Sequence, residues 1–125
     1  MRIVAHERND DHVIAHVKRG QLVGEDGYLI FEIENRSGAA YRLATVRVAV
    51  TEAGRERDIA GPARVESAAV DRDPAVIGVV PAGATARGIV VVHGADGVLG
   101  KPLVLELAGP QGRGKIRLDR GIVLR

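Results

Sequence analysis

Three features of the sequence predict an all-β domain. Apolar and polar residues alternate in short runs, Gly, Pro, Asn or Asp interrupts those runs about every ten residues, and helical periodicity is nearly absent. In a chain of 125 residues this pattern fits an immunoglobulin-like β-sandwich of about seven antiparallel strands, with a small barrel as the other solution. A chain of this size buries roughly two thirds of its unfolded surface, enough for one core without a covalent staple. Residues 12–125 are expected to form a single sandwich. Residues 1–11 are expected to be an N-terminal arm, either disordered or laid on a neighbouring sheet.

The elements follow in order. Val13, Ala15 and Val17 alternate with His12, Ile14, His16 and Lys18. Gly20, Gly24 and Gly27 break the chain before Leu29, Phe31 and Ile33, whose neighbours Glu32 and Glu34 face the other way. Asn35-Arg36-Ser37-Gly38 reads as a turn, Val46, Val48 and Val50 as the next inward set around Arg47, and Glu52-Ala53-Gly54-Arg55 as a hairpin. The apolar run 76–80 ends at Pro81-Ala82-Gly83. Residues 89–92 are continuously apolar, as in a central strand. Leu103, Leu105 and Leu107 alternate around Glu106, and Ile116, Leu118, Ile122 and Leu124 share a parity opposite Lys115, Arg117 and Asp119. Between 61 and 73 two readings stay open: a short helix begun by Pro62, or an irregular strand and loop. The expected core is Leu29, Phe31, Ile33, Val46, Val48, Val50, Ile89, Val91, Leu103, Leu105, Leu107, Ile116, Leu118 and Ile122.

Composition narrows function mostly by exclusion. The chain has no cysteine, which removes disulfides, thiolate nucleophiles and cysteine-based zinc sites and leaves the compartment open. Eighteen Lys and Arg against 16 Asp and Glu give a net charge of +2, a balance that favours neither nucleic acid nor an acidic substrate. Tyr28, Phe31 and Tyr41 are the only aromatics, so a surface for stacking sugars or bases has little to build with. The N-terminus lacks the apolar run of about seven residues that a secretory signal needs, and no run reaches membrane length. Taken as complete the chain is expected in the cytoplasm, and at the envelope if a signal has been trimmed.

Each motif with catalytic potential has a structural explanation. His6, His12 and His16 lie near Asp10 and Asp11, but on a strand the four residues from His12 to His16 span about 13 Å, too far for one ion with bonds of about 2 Å. His93 stands alone after an apolar run. Gly109-Pro110-Gln111-Gly112-Arg113-Gly114-Lys115-Ile116 matches a phosphate-binding loop except at its last position, where Ile116 supplies no hydroxyl for Mg²⁺. A strand follows instead of a helix, so a glycine-rich hairpin turn is expected. Ser37 and Ser67 sit in no nucleophile elbow, and the pairs Glu32/Glu34 and Asp71/Asp73 read as solvated charge. No catalytic residue, cofactor or metal is expected.

The one charge asymmetry is C-terminal, where Arg113, Lys115, Arg117, Arg120 and Arg125 face Asp119 alone. Basic residues on a strand guard an edge or meet an acidic partner. The run from Tyr28 to Ser37, followed by Tyr41 and the Val46, Val48, Val50 strand, resembles the C-terminal sandwich of conjugative-transfer TraN-type proteins. There an apolar strand ends in an Asn-x-Ser turn, with a Tyr before the next strand. The likeness extends loosely over residues 12–125. It departs from the family in the stretch 57–67, and the sequence as given shows neither the export signal nor the preceding domain expected of that family. It implies a structural component of an envelope-associated secretion or conjugation machine.

The expected function is therefore a non-catalytic structural or assembly module, homo-oligomeric or part of a larger assembly, with no membrane insertion. It would bind protein through strand edges or the N-terminal arm, with Ile3, Val4, Arg113, Lys115 and Arg117 as the candidate contacts. The alternative is a ligand-binding sandwich taking a small molecule, a carbohydrate, or a polyanion at the basic C-terminal strand.

Overall fold

In the computed structural model, which describes residues 5–66 and 70–124, the chain is all-β. Eleven strands are present among those residues: β1 (Ala5–Arg8), β2 (Val13–Val23), β3 (Asp26–Asn35), β4 (Tyr41–Leu43), β5 (Thr45–Glu52), β6 (Arg55–Asp58), β7 (Ala60–Glu66), β8 (Gly78–Val80), β9 (Thr85–Val92), β10 (Leu103–Ala108) and β11 (Ile116–Leu118). One sheet runs β1-β2-β3-β9-β7 and the other β11-β10-β5-β6, with β4 and β8 forming a two-stranded ribbon. Every pairing is antiparallel. Among the described residues no helix is long and apolar enough to cross a membrane.

The alternation in the sequence becomes the core. Val13, Ala15 and Val17 of β2 and Leu29, Phe31 and Ile33 of β3 are buried together with Val48 and Val50 of β5 and Leu103, Leu105 and Leu107 of β10. Ile116, Leu118 and Ile122 join them, and Val46 packs against the cluster half-buried. Ile89 and Val91 do not belong to this set. In β9 it is Ala86, Gly88, Val90 and Val92 that are buried, while Ile89 and Val91 lie half-exposed on the outer face, opposite Ile30 and Tyr28. The continuous run 89–92 carries no parity of its own. Contact settles it, because a Cβ on Gly88 would fall inside the Phe31 ring.

Turns and edges account for the extra strands. Asn35 is fully buried and pins the turn after β3. Its Nδ2 donates to Val80 O at 2.9 Å and Ala39 O at 2.8 Å, while its Oδ1 accepts from Ser37 N at 2.9 Å. Residues 60–66 form a strand, with Pro62 beside a bulge between Ala60 and Ala63 on the edge, where a missing N–H is tolerated. Ala5–Arg8, within the stretch read as an arm, pairs with β2 of its own sheet. His12 lies in the turn before β2, with φ of 64°, and not in the strand.

Candidate functional site

The candidate contacts separate into two regions. Ile3 and Val4 lie outside the described residues. Arg113 is exposed in the glycine-rich turn joining β10 to β11, where Gly109 N donates to Arg113 O at 2.6 Å. Lys115 and Arg117 stand on the outer face of the second sheet and are engaged there. Lys115 Nζ lies 3.0 Å from Glu106, and Arg117 lies 2.7 Å from Glu56 and 3.5 Å from Glu106. Arg47 also pairs with Glu106 and, at 2.6 Å, with Asp58. Burial pushes the Glu106 carboxyl up, but hydrogen bonds from Lys115 and Arg47 outweigh it and leave the group below its usual range. Lys115 and Arg117 are thus matched by acids from β6 and β10, a compensation that distance along the chain conceals.

The loop end of the sandwich carries a groove of about 480 Å³ lined by Asp10, Asp11, His12, Ser37 and Tyr41 among others. Its residues serve the turns. Asn9 Oδ1 accepts from Asp11 N at 2.9 Å and Val13 N at 3.0 Å, and Tyr41 OH donates to Gly114 O at 2.9 Å. Burial, with help from the Asp11 charge, pushes the Tyr41 phenol above its ordinary range. Ser37 Oγ lies within hydrogen-bond distance of Asn35 Oδ1 and Ala39 O, and Ser67 is outside the described residues. Asp71 is bound by Arg42 at 2.6 and 3.0 Å, which holds its carboxyl at about 2. His93 Nδ1 pairs with Asp26 at 3.2 Å across the β3–β9 edge.

One side of β2 is only partly paired among the described residues. β1 pairs only with residues 14–17 of that strand. Among the described residues, no strand pairs with the same edge over residues 18–23. A bulge between Val17 and Arg19 resets the parity, so Gly20 and Leu22 face inward, while Arg19, Gln21 and Val23 are exposed. Gly20 has to be small, since a Cβ there would meet Leu124 at 2.7 Å.

Next to this edge, β1 sets His6 directly opposite His16. The ring centroids are 6.1 Å apart. His16 Nε2 lies 3.2 Å from Glu34 Oε2, and Arg36 Nε donates to the other Glu34 oxygen at 2.8 Å. Arg36 and then His16 hold the Glu34 carboxyl below its usual range. His6 and His16 approach across the hairpin, where spacing along a single strand gives no warning of it.

No curated protein and no solved structure matches the chain significantly. A family model described as a protein of unknown function, DUF2381, matches residues 1–120. The chain therefore belongs to the DUF2381 family.

Proposed function

We propose that the chain is a non-catalytic assembly module that joins protein chains by strand pairing, with a second copy of itself as the first partner. The observation that supports this reading is the edge of β2 over residues 18–23, with which no strand pairs among the described residues. Three terminal strands have protection: β6 is Arg55-Glu56-Arg57-Asp58, all charged, β7 carries Pro62 and a bulge, and β11 has three residues. Residues 20–23, Gly-Gln-Leu-Val, carry no charge.

Two such edges fit each other. In an antiparallel pair, opposite residues share a face. With Gln21 on a two-fold axis, Arg19 meets the partner's Val23 and Gly20 meets the partner's Leu22. No like charges oppose, and the two sheets become continuous, as in strand addition. The likeness to TraN-type sandwiches adds the expectation that such pairs belong to a larger secretion- or conjugation-type machine. Polyanion binding at the basic strand is the weaker reading, because Lys115 and Arg117 already have acidic partners.

Light scattering over a concentration series tests the proposal. The full chain should dimerise, and Gln21→Lys with Val23→Lys should place three like-charge pairs across the axis. At roughly 0.2–1 kcal/mol each, these weaken the dimer by about tenfold. A chain monomeric at every concentration, or a dimer indifferent to both substitutions, overturns it.

A further inference from the structure

We propose that His6 and His16, supported by Glu34, bind a divalent transition-metal ion of the copper and zinc class. The two rings stand on facing positions of β1 and β2, with centroids 6.1 Å apart and planes 34° from parallel. Two imidazoles sharing an ion at about 2 Å from one nitrogen each place their centroids on the order of 5–6 Å apart. A small rotation of His6, whose side chain is exposed, closes the difference.

The chemistry of His16 prepares it as a ligand. Glu34 Oε2 lies 3.2 Å from His16 Nε2 while Arg36 Nε donates to Oε1, so the tautomer that donates from Nε2 to Glu34 leaves Nδ1 as the ligand nitrogen. His16 Nδ1 is buried with no hydrogen-bond partner, an arrangement that is costly unless something fills it. A carboxylate on one imidazole nitrogen with the other nitrogen left for the ion is how metal sites fix the tautomer and raise the basicity of a histidine. Among the described residues no three His, Asp or Glu side chains close into a ready-made cage. The site thus supplies two nitrogens, and water completes the coordination. Imidazole ligation suits copper and zinc, and Cu²⁺ heads the affinity series. The expectation of no metal compared His12 with His16 along one strand, whereas this pair is formed across the hairpin.

Titrating the full chain with Cu²⁺ alone, followed by calorimetry and electron paramagnetic resonance, tests the site. The expected result is one ion per chain with two imidazole nitrogens in the spectrum. Glu34→Gln should weaken binding about tenfold, as loss of a supporting carboxylate does, and His6→Gln should weaken it further and remove one nitrogen from the spectrum. His12→Gln and His93→Gln should leave affinity unchanged. His6 is exposed, so its substitution keeps the test independent of folding even if His16→Gln disturbs the sheet. No saturable binding, unchanged affinity in His6→Gln, or affinity lost with His93→Gln overturns the proposal.

Discussion

Gly88→Ala should destabilise the domain through a single contact. Gly88 lies between Phe31 of β3 and Val65 of β7, and the Phe31 ring occupies the space a Cβ would take. Phe31 has nowhere to retreat, because it and its neighbours Leu29 and Ile33 are fully buried. Overpacking a filled core costs about 1–3 kcal/mol, and the entropy recovered by replacing glycine offsets only about 0.4–1 kcal/mol. Urea denaturation of Gly88→Ala should therefore show a net loss on the order of 1–2 kcal/mol. Phe31→Leu should cost less than the about 3–5 kcal/mol of Phe31→Ala. In the double variant the new methyl enters space that Leu vacates, so the combined loss falls short of the sum by about 0.5–3 kcal/mol. Strict additivity, or a stabilised Gly88→Ala, would refute the seating of Phe31 on Gly88 and with it the register of β9.

Asn35→Ala strips donors from the Val80 and Ala39 carbonyls and should cost about 2–3 kcal/mol in thermal or urea unfolding. A loss near zero would make the Asn35 network incidental. The Glu34, Glu106 and Asp71 carboxyls are all lowered, so each contributes stability above its ordinary range and loses it as pH falls through the lowered value. The unfolding midpoint should accordingly hold above pH about 5 and decline below it, and a rise on acidification would contradict these ion pairs. Lys115→Gln with Arg117→Gln takes two cations from the buried Glu106 carboxylate and should cost on the order of 1–3 kcal/mol, but should leave self-association intact. If light scattering shows the oligomer dissolving, the basic strand is the contact.

What could be read in the sequence depended on which force formed each element. Burial on one face writes alternation into the chain, so Leu29, Phe31 and Ile33 and Leu103, Leu105 and Leu107 are legible as inward sets. Where both faces are apolar, as at 89–92, alternation vanishes and the inward pair becomes Val90 and Val92. Ala5–Arg8 and Arg55–Asp58 have little or nothing buried. They are held mainly by backbone pairing and, in Arg55–Asp58, by surface ion pairs, which leaves little hydrophobic signature. Asn35-Arg36-Ser37 was visible as a turn, but not the reach of Asn35 to Val80. The candidate sites were harder still. His6 meets His16 only because the turn around Asn9 and His12 fixes the hairpin register. Lys115 and Arg117 find Glu56 and Glu106 on other strands.

Hydrogen exchange tests the assembly claim most directly, because it reports on the β2 edge residue by residue in the full chain. Over residues 18–23 the outward-pointing amides should exchange freely in dilute protein and slow as concentration rises through the dimerisation midpoint. Those of Arg55–Asp58, on a charged edge, should not change. Protection that appears at Arg55–Asp58 or at Lys115 and Arg117 instead, with residues 18–23 still exchanging freely in the dimer, would contradict the account.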